Sequence, residues 1–210
     1  MRELYQTHGQ FWTLVIPKYE VIPDLFTSEE ASHLIKEGAV RLDWAGHKPA
    51  EAELILTAIG AYQLEETLKA SVRLVEKDIA HSVVYLLEPG RFRSPRTEGE
   101  EAHIAPETVR KGLFPESVNK RVFVFHTRPE PMLGVLQPLN TGEHTAGLGY
   151  IAHGGTLTTA GLLFINRSSW AHVIEESARL LRLPRAKLLT KKECDTLDGK
   201  ISPEKVIIEV

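Results

Sequence analysis

Five short apolar runs, rich in β-branched and aromatic residues, stand out along the chain: "FWTLVIP" (11–17), "ELILTAIG" (53–60), "HSVVYLLEP" (81–89), "RVFVFHT" (121–127) and "KVIIEV" (205–210). Their length and composition predict strands. Most are nearly unbroken rather than alternating, the pattern of strands covered by helices on both faces. Helical periodicity fills the intervals: "SEEASHLIKEGA" after Thr27, Ala61 to Lys77, and Ser169 to Leu181. In the second of these, Leu64, Leu68, Val72 and Val75 recur at helical spacing while Glu65, Glu66, Lys69 and Lys77 fall elsewhere, which predicts one buried face.

Strands alternating with helices of this length make βαβ units, so the pattern predicts a three-layer α/β fold. Its sheet is five-stranded, mostly parallel or mixed, and lies between helices. A long polar connection, 93–120, interrupts the alternation and contains a short helical pattern over Pro106 to Leu113. Connections of that length are functional loops, partner-contacting excursions or partly disordered segments. No repeat or composition shift marks a second domain, and 210 residues suit a single one: 1–210, with 1–11 as a lead-in.

Composition narrows the function classes. The net charge is −3, with both signs interspersed and no basic stripe among aromatics, which argues against nucleic acid as a partner. No apolar run approaches the roughly 20 residues of a membrane span, and the amino terminus lacks a secretory pattern. Cys194 is the sole cysteine, so there is no internal disulfide, and a reducing, cytoplasmic setting is expected. The nine histidines include no HxxxH or HExxH pair, and the Walker A, G-x-G-x-x-G and G-x-S-x-G signatures are absent. No metal site and no catalytic nucleophile–base pair is assigned.

Open α/β sheets bind ligands at the carboxyl ends of their strands. Lys18, Tyr62, Glu88, Arg91, His126 and Arg128 follow the predicted strands there. Each also has a plain role: Lys18 as a solvated strand end, Glu88 and Arg91 in a turn, His126 as a hydrogen-bonded core imidazole. Together, Lys18, Arg91 and Arg128 would set three cations on one rim, suited to an anion. A second candidate is "YIAHGGTLTTAG" (150–161), whose Tyr150, His153, Gly154, Gly155, Thr156, Thr158 and Thr159 can cradle a phosphate or simply turn the chain into a helix. Trp44 and Trp170 are expected in the core or at an interface.

Read in order, four segments resemble the carboxy-terminal domain of phosphoketolases, in the transketolase group of thiamine-diphosphate enzymes. They are "LVIPKYEVIPDLFTSEEASHLIKEGAVRLDWAG", "AELILTAIGAYQLEETLKAS", "RVFVFHTRPEPMLGVL" and "GYIAHGGTLTTAGLLFINRSSWAHVIEESARLL". The resemblance covers roughly residues 12 to 182 and rests on order and spacing more than on identities. It implies the third-domain fold of transketolase-type enzymes and a non-catalytic part in an enzyme that cleaves ketose phosphates. Thiamine diphosphate and its divalent metal would belong to a catalytic partner chain or to preceding domains, and the assembly would be a homo-oligomer. Lys18, at the matching lysine, would reach a phosphate. A free-standing sensor of a phosphorylated metabolite, or the same domain of another transketolase- or pyruvate-dehydrogenase-type enzyme, stays open beside it.

Overall fold

Strand β2, Leu54–Ile59, is buried at every position, which explains why its sequence shows no alternation. Leu54, Leu56 and Ala58 face one side of the sheet, and Ile55 and Ile59 face the other. The computed structural model describes residues 21–208 apart from 23, 152 and 154. The strand expected over 11–17, together with Lys18 and Gly154, lies outside the described residues.

In chain order the elements are helix α1 (Ser28–Glu37), β1 (Ala39–Arg41), β2, α2 (Ala61–Glu76), β3 (His81–Leu86), α3 (Glu98–Glu101), α4 (Glu107–Leu113), β4 (Lys120–Phe125), α5 (Pro129–Val135), β5 (Thr145–Leu148), α6 (Thr159–Ile165), α7 (Trp170–Leu180) and α8 (Lys191–Leu197). The strands form one five-stranded mixed sheet in the order β1-β3-β2-β4-β5. β1 runs antiparallel to β3, and the other neighbours are parallel. The expected α/β architecture is therefore present, although its strands are not all the expected ones.

One face of the sheet is covered by α1, α2 and α7. Ala70, Leu74, Trp170, Val173 and Ile174 pack there against Leu54, Leu56, Val122 and Val124, and Leu34 and Leu64 pack against Ala58 and Val83. The opposite face is covered by α4, α5 and the turn Pro89–Phe92, through Phe92, Phe114, Leu136 and Leu139 against Ile55, Ile59, Phe123 and Phe125. Phe92, Phe114, Phe123 and Phe125 form a run of ring contacts with centroids 5.9–6.2 Å apart. The polar segment 93–120 is thus a covering layer of this face. Arg121, 4% exposed, staples it to β4 by donating to the carbonyls of Phe114, Pro115, Val118 and Leu139.

Two expectations need correcting. The described part of "KVIIEV", residues 205–208, is not a strand: Glu204–Ile208 is a π-helical turn in which the Pro203 carbonyl accepts from the N–H groups of Val206, Ile207 and Ile208. Ile207 is buried, and its carbonyl accepts from the Trp170 indole at 3.0 Å. A short apolar run cannot by its pattern distinguish a strand from a buried helical turn. The sheet instead takes β1 and β5. The expected buried face of α2 holds at Leu64, which is buried, and Leu68, which packs against the core, but not at Val72 and Val75. Gln63, Leu64, Glu66, Thr67, Ala70, Ser71 and Leu74 are buried, whereas Val72 and Val75 are 60% and 43% exposed. Small side chains at Thr67, Ala70 and Ser71 allow close packing, and Glu66 is buried because its carboxylate accepts from the Trp170 N–H at 2.7 Å and from Lys69 at 2.9 Å. Trp170 is in the core as expected; Trp44 is half-exposed, its indole N–H donating to Glu30 at 2.8 Å.

Candidate functional site: the carboxyl ends of β2, β4 and β5

The connection after β2 crosses to the α1/α2/α7 face, while the one after its neighbour β4 enters α5 on the opposite face. Diverging connections leave a crevice between adjacent strands, the usual ligand position in open α/β sheets. Gly60, after β2, and His126, after β4, lie against each other at this point. Gly60 has φ of +114°, and a side chain there would strike Gln63 and meet Cβ of His126, so only glycine suits the turn. The N-terminus of α2 carries no side-chain cap, which leaves first-turn N–H groups at this end of the sheet.

His126 is exposed, with its backbone N–H donating to the Ile59 carbonyl at 3.1 Å and Nδ1 at 3.2 Å from the same oxygen. That clamp holds the imidazole at the rim, not in the core. Arg128 is exposed and occupies the cap position of α5. Thr127 lies between them, and its carbonyl accepts from the Tyr150 N–H at 3.0 Å, joining the end of β4 to the loop after β5. Any side chain at Gly149 would collide with that carbonyl.

The loop after Leu148 is exposed at Tyr150, Ile151, His153, Gly155, Thr156, Leu157 and Thr158. Its base is held by Asn166, 3% exposed. Oδ1 of Asn166 accepts from the N–H groups of Ile151 and His153 at 3.0 and 3.2 Å, and Nδ2 donates to the carbonyls of His153 and Leu162 at 2.8 and 2.9 Å. Every lone-pair and proton direction of that amide has a partner. Thr158 caps α6, its Oγ1 accepting from Gly161 N–H at 3.1 Å, and Thr159 is the first helical residue. A cleft of about 340 Å³ opens beside this loop, bounded by Gly147, Gly149, Ile151, Asn166 and Arg167.

The structure therefore brings His126, Arg128, Tyr150 and His153 to one end of the sheet, with Gly155 and Thr156 in the loop beyond. Arg91 is elsewhere. It follows β3, across β2 from β4, and its Nη1 donates to the Lys36 carbonyl at 2.7 Å, closing the end of α1. Glu88 lies beside it, with Oε1 4.0 Å from that guanidinium. Asn166, Gly60, Gly149 and Thr127 are the residues that sequence reasoning did not single out. Asn166 follows the apolar run "GLLFI" at the end of α6, within the segment that resembles the family's Thr-rich loop with a following Asn, and that resemblance was its visible signal.

The family model for the XFP C-terminal domain matches residues 20–208. The chain belongs to the phosphoketolase (XFP) C-terminal domain family. This phosphoketolase C-terminal domain is similar in fold to transketolase from Leishmania mexicana, with a TM-score of 0.52 and 16% identity over 72% of this chain and 19% of that one. Transketolase from Campylobacter jejuni subsp. jejuni matches with a TM-score of 0.43 and 15% identity, over 70% of this chain and 19% of that one. The phosphoketolase C-terminal domain thus spans about a fifth of the length of the transketolases it matches. No curated protein matches it. Among the described residues, no group of three or more His, Cys, Asp or Glu side chains is placed to hold a metal ion, and no helix is long and apolar enough to cross a membrane.

Proposed function

We propose that this chain is the non-catalytic carboxy-terminal part of a phosphoketolase-like, thiamine-diphosphate-dependent enzyme acting on ketose phosphates. It completes the assembly with the catalytic domains and presents a phosphate- or effector-binding rim to them. The observation that carries this reading is the carboxyl end of the sheet, where exposed His126 and Arg128 follow β4, exposed Tyr150 and His153 follow β5, and the uncapped start of α2 follows β2 beside His126. Exposed apolar side chains stand in the same loop: Ile151 and Leu157 are 38% and 48% exposed. A polar rim carrying the Arg128 cation, with apolar side chains beside it, suits a surface that a second body closes over.

Thiamine diphosphate supplies the electron sink for cleaving a carbon–carbon bond beside a carbonyl. The described residues do not fit that cofactor, because they offer no carboxylate or histidine cluster for the divalent ion of its diphosphate. No chemical step is therefore routed through this chain, and the cofactor is assigned to preceding domains or a partner chain. The residues here bind and orient: Arg128 and the α2 N-terminus attract an anion, His126 and Tyr150 supply hydrogen bonds, and Lys18 is assigned to the same ligand.

A thermal-shift screen of the isolated chain with phosphate, acetyl phosphate, sugar phosphates and nucleotides tests the rim. A ligand at about 100 times its dissociation constant stabilises by about 2.7 kcal/mol. For a chain of this size, that is a rise of about 5–10 °C. Arg128→Ser should remove most of it. If no anion shifts the transition, the rim does not bind phosphate by itself.

A further inference from the structure

A chain of polar atoms is buried at the amino ends of β2 and β3. His81, the first residue of β3, and Ser71 of α2 are both buried. Nδ1 of the His81 imidazole lies 2.8 Å from the Ile79 carbonyl oxygen, and Nε2 lies 2.7 Å from Oγ of Ser71. The same Oγ is in hydrogen-bond contact with the Ala45 carbonyl. Two turns, 42–48 and 77–80, are thereby linked through one helical serine. The backbone holds them close: the His81 N–H donates to the His47 carbonyl at 2.9 Å, and a side chain at Gly46 would strike the His81 carbonyl. Among the described residues no backbone N–H donates to the carbonyl of Ala45 or Ile79, so each depends on this chain of atoms for a proton.

Three contacts run between two carbonyls that can only accept. Serine brings one hydroxyl proton and a neutral imidazole brings one N–H, so two protons serve three contacts. With Nδ1 protonated, the Ile79 carbonyl is bonded and Nε2 accepts from Ser71, whose hydroxyl then turns away from Ala45. With Nε2 protonated, the ring donates to Ser71, Ser71 donates to Ala45, and bare Nδ1 faces the Ile79 oxygen. Each form satisfies one turn and sets two acceptors against each other at the other. We infer that His81 is an alternating clasp: neutral, it holds turn 42–48 through Ser71 or turn 77–80 directly, one at a time, and a second ring proton taken from solvent closes both. Burial pushes the imidazole pKa down, the Ile79 carbonyl pulls it up, and the His47 charge lowers it again, so the alternating form is the one present at neutral pH. The charged groups on the surrounding elements are Asp43, His47 and Lys48 of the first turn, Lys77 and Asp78 of the second, and Glu53 before β2; α2 presents Ser71. Asp43 accepts from Arg41 at 2.6 Å, and Asp78 lies 2.7 Å from His47 and 3.4 Å from Lys48, so both carboxylates are engaged away from the ring. This inference does not rest on the phosphate rim, which lies at the opposite ends of the strands.

Nitrogen NMR of the full chain with isotope-labelled histidine, at neutral pH and then titrated into acid, tests it. At neutral pH both ring nitrogens of His81 should lie between the protonated and bare positions, with neither form exceeding the other by more than about tenfold. Ser71→Ala keeps a good helix former at that position and removes the acceptor for Nε2, so the Nδ1–H form should gain about tenfold or more and amide exchange at residues 45–47 should quicken. In acid both nitrogens should become protonated while the fold persists and exchange at residues 45–47 slows relative to its intrinsic rate. A wild-type ring fixed in one form, or a ratio that Ser71→Ala leaves unchanged, overturns the clasp. So does a second proton gained only as the chain unfolds. Should Ser71→Ala fail to fold, the wild-type ratio decides alone.

Discussion

Replacing Asn166 with alanine should loosen the rim loop and lower the stability of the whole chain. The substitution removes four hydrogen bonds and leaves the N–H groups of Ile151 and His153 and the carbonyl of His153 without that partner, while the Leu162 carbonyl keeps the backbone N–H of residue 166. An unsatisfied group costs about 1–3 kcal/mol while it stays buried. Three of the four belong to exposed Ile151 and His153, where water can replace the amide, so the sum falls well below four full penalties. The expected loss is about 2–3 kcal/mol, a fall in Tm of about 4–12 °C for a chain of this size. Asn166→Asp separates the two halves of the clasp: its carboxylate still accepts from both N–H groups but faces two carbonyls, so a smaller loss of about 1–2 kcal/mol is expected. Denaturant unfolding gives the global value, and hydrogen exchange at residues 150–158 gives the local one. If Asn166→Ala costs less than about 0.5 kcal/mol and leaves exchange at Ile151 and His153 unchanged, the clasp is not what holds the loop.

Further outcomes follow from buried polar groups. Thr57 is fully buried, and its Oγ1 has no hydrogen-bond partner among the described residues, so Thr57→Val should leave stability unchanged or raise it by about 1 kcal/mol in denaturant unfolding. His172, 4% exposed beside Ser169 and the Phe164 ring, has its imidazole pKa pushed down to about 3 by burial and, secondarily, by the Arg167 charge. The unfolded chain binds this proton from about pH 6.5 downward and the folded chain only near 3. Stability should therefore fall as pH drops through that window, by about 1.4 kcal/mol per unit from this group, and His172→Gln should flatten the slope. Glu193 is held below the usual carboxylate range: burial raises it, but the Arg73 guanidinium and the Thr190 backbone N–H outweigh burial. Its contribution is complete above the ordinary glutamate pKa and lost as pH falls through the folded value. Glu193→Gln should cost about 1–3 kcal/mol at neutral pH and remove that acid component.

The central strands were legible in the sequence because β2, β3 and β4 are covered on both faces, and continuous burial writes itself as continuous apolarity. β1 and β5 were not, because strands of three and four residues, one of them containing Gly147, are too short to carry a pattern. Helix α2 misled in its second half: the apolar spacing that buries Leu64 and packs Leu68 continues to exposed Val72 and Val75, because the helix meets the sheet through Thr67, Ala70, Ser71 and Leu74, a tertiary fact. That His126 and Arg128 lie exposed at the carboxyl end of β4 could be read from their place after the apolar run 121–125. Arg91 has a like place after β3, but its partner is a carbonyl of α1, and no sequence pattern shows which carbonyl a guanidinium will find. Thr158 had two readings, phosphate contact and helix cap, and its side chain is the cap of α6.

The most direct test of the account is hydrogen exchange on this chain with and without a phosphoketolase-type chain that carries the thiamine-diphosphate-binding domains but lacks its own carboxy-terminal domain. The account predicts protection concentrated at residues 60–62, 126–128 and 149–158. Protection confined to other surfaces, or none at concentrations where the two chains co-sediment, would contradict it.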